Sequence, residues 1–312
     1  MNFILPFTVK KISQPINVRK PLLLLGSCFA EEIGAKLLER KFNIQLNPHG
    51  ILYNPISISN ALTDYISNKK YTEQDIFLHE ELWRSFSHHG KFSKADKVAC
   101  LQNINQEIEQ AHHQLKTADW LIVTFGSAFA YTHQNKVVAN CHKIPNNQFK
   151  KILLTKEEIV SAWQQQIDAL KKFNSHLKII FTVSPVRYVR DGVIENNRSK
   201  GILLDSTHFL IEKNNNCFYF PAYEIVIDEL RDYRFYKEDL VHPNKLAITY
   251  VWQKFADTCF DEETKNFLSD YEPLMKSLKH RTFQDGTEAS NSFNKQLQEK
   301  KEVLRLKYPF IQ

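Results

Sequence analysis

Several features that define other protein classes are missing from this chain of 312 residues. Its five cysteines are an odd number, widely spaced and without a Cys-x-x-Cys pair, which argues against a disulfide framework and against a structural zinc site. No apolar run approaches the roughly 20 residues that a membrane-spanning helix needs. The apolar patch at the amino terminus precedes its basic pair, the reverse of a secretory signal. We therefore expect a cytoplasmic protein without a membrane span or a metal site.

A strong excess of charge of one sign is also missing. The formal net charge is only +6, and the lysine pairs, such as Lys69-Lys70 and Lys150-Lys151, are scattered along the chain. Nucleic-acid sites normally show clustered basic residues, so we expect no nucleic-acid partner. Glycine and proline are sparse and there are no sequence repeats. The hydrophobic content of 43% is ordinary for a globular protein.

Short apolar runs alternate with helical patterns along the chain, which indicates βα units and a parallel sheet. Two of these runs are continuously apolar, as expected for strands covered on both faces. The predicted strands are Pro21–Leu25, Phe42–Leu46, Trp120–Phe125, Leu177–Val183 and Cys217–Phe220. The predicted helices are Ala30–Lys41, Pro55–Ser67, Asn103–Lys116, Lys156–Phe173, Gly201–Lys213, Pro221–Arg231, Asn244–Phe260 and Ser290–Arg305.

Two segments exceed the usual length of a connection between elements. Residues 68–119 contain an aromatic, histidine-rich stretch followed by a helix, and residues 126–151 contain a second polar and aromatic stretch. Both follow predicted carboxyl ends of strands, where functional loops lie in such folds. We expect one domain over residues 1–260 with an insertion at about residues 68–119. A polar, helical extension follows over residues 261–312.

A sharp turn joins the first predicted strand to the first predicted helix at Gly26-Ser-Cys28. It places Ser27 and Cys28 at the carboxyl end of a strand and the amino end of a helix. Ligands bind at the carboxyl ends of strands in open α/β sheets, and the N–H groups of a helix amino end stabilise a thiolate or an oxyanion. The turn therefore predicts a nucleophile.

A partner for this nucleophile lies about two hundred residues later, in Asp239-Leu-Val-His242. The carboxylate of Asp239 is close enough in sequence to reach a ring nitrogen of His242 within one turn. It would then fix the tautomer and stabilise the imidazolium, as an acid does behind a catalytic base. The alternatives are a solvated loop carboxylate and a histidine that only begins the following helix.

At the Gly-Ser-Cys-Phe-Ala run, Gly26 to Ala30, the chain resembles the GSCFA family. Further motifs between about residues 20 and 260 support the resemblance. They are Asn47-Pro-His-Gly-Ile-Leu-Tyr-Asn-Pro55, Thr124-Phe-Gly-Ser-Ala-Phe-Ala-Tyr131, Asn140-Cys-His-Lys-Ile-Pro145, Thr182-Val-Ser-Pro-Val-Arg187 and the Asp-x-x-His motif.

The family in turn resembles the SGNH (GDSL-type) hydrolases, which include esterases, lipases, carbohydrate deacetylases and O-acyltransferases. This resemblance implies a flavodoxin-like three-layer α/β/α sandwich with a mostly parallel five-stranded sheet and a helical insertion. It also implies a nucleophile after the first strand and an Asp-x-x-His motif before the last helix of the domain.

The chain departs from the SGNH pattern in two blocks. The usual first block reads Gly-Asp-Ser, so that counting without gaps puts Cys28 at the position of the nucleophile. Ser27 is the alternative nucleophile, or else a helix cap. The usual third block supplies an oxyanion asparagine in Gly-x-Asn, whereas this chain has Gly126-Ser127-Ala128. Ser127, Asn54 or Asn140 is expected to take that role.

Other residues of these motifs are candidates for substrate contacts. The Gly50 N–H is a candidate oxyanion donor, or Gly50 is a plain turn glycine. Asn47 flanks the same turn, either as an oxyanion contact or as a turn former. We expect His142 to position substrate. Arg187 is expected either to clamp a carboxylate or phosphate or to form a structural ion pair.

These features together predict acyl transfer from an ester without any metal or organic cofactor. The first hypothesis is an ester hydrolase acting on a small-molecule or carbohydrate acyl ester. The alternatives are an O-acyltransferase with a donor such as acyl-CoA, and a non-catalytic binding or scaffold protein on the same fold. The sequence does not indicate an oligomeric state.

Overall fold

A parallel sheet of five strands forms the centre of the computed structural model, which describes residues 5–279 and 288–311. Its strands are β1 Leu22–Gly26, β2 Ile44–Leu46, β5 Trp120–Phe125, β9 Lys178–Val183 and β10 Cys217–Tyr219. From edge to edge they run β10, β9, β5, β1 and β2, and all adjacent pairs are parallel. Read from the β2 edge, with the five strands of this sheet numbered in chain order, the arrangement is 2-1-3-4-5, which is flavodoxin-like. The five predicted strands are confirmed.

Helices cover both faces of this sheet, which explains the continuous apolar sequence of β1. Alternate side chains of a strand point to opposite faces. Leu23 and Leu25 pack into one core cluster, and Leu22 and Leu24 pack into the other. The helices are α1 Cys28–Glu39, α2 Pro55–Ser67, α3 Lys97–Thr117, α4 Lys156–Phe173, α5 Val193–Lys213, α6 Ala222–Glu224, α7 Lys245–Cys259, α8 Glu262–Lys279 and α9 Glu288–Lys307.

The first cluster is formed with α2 to α5 and the second with α1, α7, α8 and α9. The three-layer α/β/α sandwich is therefore confirmed. The helical extension after residue 261 packs in the second layer, where Tyr271 and Leu304 are buried. Arg40, directly after α1, binds Glu272 of α8, and its guanidinium lies over the ring of Trp252, 4.8 Å from the ring centroid. Among the described residues, no helix is both long enough and apolar enough to cross a membrane.

Several helix bounds differ from the predictions. Helix α3 begins earlier than predicted because the Asp96 carboxylate caps it, accepting the Ala99 N–H at 2.6 Å. The helix predicted over Pro221–Arg231 is instead the three-residue α6, followed by a π turn over Ile225–Glu229. A local apolar pattern cannot distinguish a continuous α-helix from a short helix followed by a π turn, since both forms bury the same side chains.

Residues 68–119, predicted as a helical insertion, divide into two parts. The first contains the antiparallel hairpin of β3 Phe77–His79 and β4 Leu82–Arg84, whose two-residue turn has positive φ angles. The second is α3, which packs in the first helical layer. The segment after β5 also holds a small antiparallel sheet that was not predicted from the sequence. Its strands are β6 Phe129–His133, β7 Lys136–Val138 and β8 Lys150–Leu153.

Candidate active site

A cavity of about 790 Å³ lies at the carboxyl ends of β1, β5 and β9. Its walls come from the β1–α1 turn, the segment after β5, the residues following β9 and the loop before α7. Three cationic side chains, those of Lys143, Arg187 and Arg190, line it. No aspartate or glutamate is among the described residues that line it. Its wall is therefore basic.

Gly26 makes the β1–α1 turn possible. Its φ angle is +136°, and a Cβ atom there would lie 2.2 Å from the Thr124 carbonyl oxygen on the neighbouring strand. Only glycine accepts both constraints without strain. The buried Asn47 side chain braces the turn, because its Oδ1 accepts the Gly26 N–H at 2.9 Å.

The two candidate nucleophiles have different environments in this turn. Ser27 is buried and caps α1, since its Oγ accepts the Phe29 N–H at 3.3 Å. Cys28 is the first residue of α1 and is half-buried. Burial raises the pKa of the Cys28 thiol, while the N–H groups of Cys28 and Phe29 and the Lys200 ammonium lower it. Both side chains line the cavity.

His242 and Asp239 form the pair that the sequence predicts, and His242 lines the same cavity. The His242 Nδ1 lies 2.7 Å from the Asp239 Oδ2. The other carboxylate oxygen accepts the N–H groups of His242 and Val241, each at 2.9 Å. These backbone hydrogen bonds, together with the one to the ring, lower the pKa of Asp239 to about 2. The carboxylate thus holds Nδ1 and leaves Nε2 for other contacts.

Arg187 connects the end of β9 to the loop that carries His242. Its guanidinium donates to the Leu240 carbonyl at 3.2 Å, and its backbone N–H donates to the Val241 carbonyl at 3.3 Å. The guanidinium also lies over the Tyr236 ring, 4.4 Å from its centroid. These contacts orient the histidine loop while Arg187 faces the cavity.

Several expected oxyanion donors are already engaged within the chain. The Gly50 N–H donates to the Asn47 carbonyl at 2.7 Å, and neither residue is among the lining residues described for the cavity. The N–H groups of Gly126 and Ser127, which line the cavity, both donate to the Tyr53 carbonyl at 2.8 and 3.0 Å. Gly50 has a φ angle of +78° and faces the His89 side chain. The turn therefore requires glycine at position 50.

Asn54, Asn140 and His142 also line the cavity, and each makes a structural contact. Asn54 caps α2, with its Oδ1 accepting the Ser57 N–H at 2.8 Å. The Asn140 Oδ1 accepts the His142 N–H at 2.8 Å. The His142 Nε2 lies 2.7 Å from the Ser85 carbonyl oxygen and therefore carries the proton. Burial lowers the pKa of His142, so the neutral ring is favoured.

Two neighbouring histidines of the inserted segment lie in different places. His89 lines the cavity. His88 is buried outside it and stacks on His49, with ring centroids 4.1 Å apart. The parts of the chain that the structure describes contain no group of three or more His, Cys, Asp or Glu residues arranged to hold a metal ion.

Lys200, a residue of α5 that is only 1% exposed, was not predicted from the sequence as part of the site. Its Nζ donates to the carbonyls of Gly126 and Ser184 at 2.6 and 2.7 Å. The helical pattern contains a signal, because Lys200 falls on the buried face of α5 with Asn196 and Leu203. A lysine at such a position is unusual.

Comparison with curated proteins gives no match. Two solved structures are similar over most of the chain. An acetyl esterase mutant determined with an acetate ion is 9% identical, covering 83% of this chain and 99% of its own, with a TM-score of 0.36. A carbohydrate esterase family 3 protein from Talaromyces cellulolyticus is 8% identical, covering 80% of this chain and 98% of its own, with a TM-score of 0.35. At such identities and TM-scores these likenesses say nothing about activity.

The family comparison is more specific, since the GSCFA family profile matches residues 21–255. That range begins just before β1 and ends within α7, so it includes the Gly-Ser-Cys turn and the Asp-x-x-His loop. The resemblance inferred from the motifs is thereby confirmed. The chain belongs to the GSCFA family.

Proposed function

We propose that this protein is an enzyme of acyl transfer that hydrolyses esters, with Cys28 as nucleophile and His242 as general base. The observation that carries the proposal is the presence of both side chains in one cavity, with His242 held by Asp239 at 2.7 Å. A nucleophile, a base and an acid that orients the base form the arrangement typical of covalent acyl-transfer catalysis.

In the first step the His242 Nε2 accepts the proton of the Cys28 thiol, and the sulfur attacks the ester carbonyl carbon. The resulting oxyanion lies at the amino end of α1, where the Cys28 N–H and the helix dipole stabilise negative charge. The C–O bond then breaks, and His242 returns the proton to the leaving alcohol.

The acyl-thioester intermediate is released by a second attack. His242 accepts a proton from water, and the hydroxide oxygen attacks the acyl carbon to give the free acid. Cys28 leaves as a thiolate and recovers its proton from His242. Ser27 as nucleophile would follow the same steps, but its hydroxyl already caps α1. That cap favours Cys28.

O-acyltransfer is a second candidate, favoured by the basic wall of the cavity. Lys143, Arg187 and Arg190 line it without a carboxylate among the described lining residues. Such a wall suits the phosphates of a donor such as acyl-CoA. In that case an acceptor hydroxyl, for example from a carbohydrate, replaces water in the second attack.

A substrate panel tests the proposal. Wild type and the variants Cys28→Ala, Ser27→Ala and His242→Ala would be assayed on aryl acetates, acetylated sugars and acetyl-CoA with and without a sugar acceptor. His113→Ala serves as a matched control because His113 is exposed on α3. We expect turnover that Cys28→Ala and His242→Ala abolish and that the control retains.

Other outcomes are equally informative. An inactive Ser27→Ala variant beside an active Cys28→Ala variant would transfer the chemistry to Ser27. Product that forms only with acetyl-CoA and a sugar acceptor would establish the transferase. Turnover unaffected by the His242 substitution would refute His242 as the general base. No turnover from the folded wild type on any substrate would refute the proposed function and favour a binding or scaffold protein.

A further inference from the structure

Two of the three cations in the cavity wall have no partner in the described parts of the chain. Arg187 donates to the Leu240 carbonyl and lies over the Tyr236 ring. Within residues 5–279 and 288–311, the side chains of Lys143 and Arg190 form no hydrogen bond, ion pair or ring contact. Both residues are exposed, and no described carboxylate neutralises either charge. Both cations are therefore available to a ligand in the cavity.

The acid next to Arg190 in the chain is bound elsewhere. The Asp191 carboxylate pairs with the Lys151 ammonium, which also lies over the Phe129 ring, 4.4 Å from its centroid. None of the described residues that line the cavity is an aspartate or a glutamate. A cleft lined by charge of one sign attracts ligands of the opposite sign. The charge of Arg190 thus faces the cavity without competition from its neighbour.

Lys143 belongs to a tight turn whose backbone is unfavourable for its residues. The Ile144 N–H donates to the Cys141 carbonyl at 3.0 Å, and the two central residues, His142 and Lys143, have φ angles of +51° and +62°. Such turns favour asparagine and glycine. Two other turns among the described residues, at 80–81 and 134–135, share this conformation, but neither lines the cavity. The turn therefore presents a lysine to the cavity at a position that suits glycine better.

The buried His142 fixes this turn to the inserted segment. Its Nε2 donates to the Ser85 carbonyl at 2.7 Å, and its own carbonyl accepts from the Arg84 guanidinium at 3.3 Å. Its N–H donates to the Asn140 Oδ1 at 2.8 Å. Lys143 is thus carried by an anchored backbone while its side chain remains unengaged. A preorganised backbone reduces the entropy that ligand binding costs.

Arg190 approaches the same turn from another part of the fold, the loop between β9 and α5. Burial raises the pKa values of the Cys141 thiol and the Tyr131 hydroxyl, and the positive charge of Arg190 lowers both. Cys141 is the first residue of the turn that carries Lys143. The two unpaired cations therefore lie near the same part of the cavity wall.

We propose that Lys143 and Arg190 bind a phosphate group of the substrate, so that the enzyme acts on phosphate-bearing acyl compounds. A guanidinium binds phosphate through two parallel hydrogen bonds, and an ammonium adds a point charge. The cavity of about 790 Å³ is within the size range of small-molecule sites. The phosphate takes no part in the reaction. This inference rests on the proposed function, which places the reacting carbonyl at Cys28.

Two sources supply this chemistry, a coenzyme A thioester and an acylated sugar phosphate. Unreactive compounds test the site without any turnover. Isothermal titration calorimetry with a reductant present compares coenzyme A with pantetheine, and glucose 6-phosphate with glucose. In wild type we expect the phosphate-bearing member of at least one pair to bind at least tenfold more tightly than its partner. Its affinity should fall as the salt concentration rises.

Substitutions then assign the effect to the two cations. Lys143→Gln and Arg190→Gln should each weaken binding of the phosphate-bearing compound about tenfold. Lys150→Gln and Arg231→Gln remove the same charge from exposed positions that do not line the cavity, and they should match wild type. Equal losses in all four variants would show attraction to the net charge alone and would overturn the proposal. Equal affinity for the members of both pairs in wild type would also overturn it, and that comparison depends on no variant.

The outcomes separate this inference from the proposed function. A preference for coenzyme A identifies the donor of a transferase, a preference for the sugar phosphate identifies the ester of a hydrolase, and both support the phosphate site. Phosphate-dependent binding without turnover of any acyl compound would reject the chemistry and retain the site. Turnover of neutral acetates by wild type, with equal affinities within both pairs, would reject the site and retain the chemistry.

Discussion

Replacing Lys200 with methionine should remove a pH dependence from the stability of this protein. The native pKa of Lys200 is lowered to about 7 by burial, whereas the ordinary value is 10.5. Below about pH 7 both the native and the unfolded chains carry the proton, and the native state bears the full penalty of a buried charge. Between pH 7 and 10.5 the unfolded chain binds a proton that the native chain lacks. The free energy of unfolding therefore rises with pH across this interval.

The size of the effect follows from the two pKa values. Each pH unit between them corresponds to about 1.4 kcal/mol, so the interval from 7 to 10.5 corresponds to at most about 5 kcal/mol. Methionine has nearly the same shape and does not titrate. The difference in unfolding free energy between wild type and Lys200→Met should thus shift in favour of wild type as the pH rises.

Urea unfolding followed by fluorescence of the four tryptophans, repeated from pH 6 to pH 10, measures this difference. Lys213→Met is the control, because Lys213 is exposed and its replacement should leave the pH dependence unchanged. A difference between wild type and Lys200→Met that stays constant over this pH range would refute the inference that burial lowers the pKa of Lys200.

Three further predictions concern the turn and the histidine loop. Asp239→Asn should lower kcat by a hundredfold or more because the imidazole of His242 loses the acceptor that fixes its tautomer. The neighbouring substitution Glu238→Gln should change kcat little, and equal effects of the two would contradict the pairing of Asp239 with His242. Gly26→Ala should lower the free energy of unfolding by at least about 1–3 kcal/mol, since its backbone is in the left-handed region. Gly201→Ala, inside α5 with open space around it, should raise that free energy by about 0.5–1 kcal/mol. Chemical denaturation measures both changes, and a change of the same sign in the two variants would refute the described backbone conformation at Gly26. Arg187→Met should lower kcat more than it raises KM if its main role is to orient the histidine loop; steady-state kinetics would show a KM effect alone if it only binds substrate.

The elements of the sheet could be predicted from local pattern. Strand β1 is an unbroken run of four leucines before glycine, and that run has no stable position except between two helical layers. The turn at Gly26 and the pairing of Asp239 with His242 also depend on residues near one another in sequence. The fold class and the main candidate residues of the site could therefore be inferred from short stretches of the chain.

Which polar groups remain available for chemistry depends on the tertiary structure. Gly50 and Ser127 were expected from their motifs to bind the oxyanion, yet their N–H groups donate to the carbonyls of Asn47 and Tyr53. A hydrogen-bond partner is set by where two loops meet, and the Tyr53 contact joins segments more than seventy residues apart. The local sequence pattern does not predict such long-range contacts.

Lys200 is the clearest case in which the sequence predicts the local structure but not the tertiary contact. Its place on the buried face of α5 is visible in the helical pattern, but the sequence does not say what that face covers. Only the packing of α5 beneath the ends of β5 and β9 brings the ammonium to the floor of the cavity. The helical layers and the turn at Gly26 follow from short-range periodicity and backbone conformation, and both are encoded locally. The contacts of Lys200 with Gly126 and Ser184 join segments distant in the chain, which no local pattern specifies.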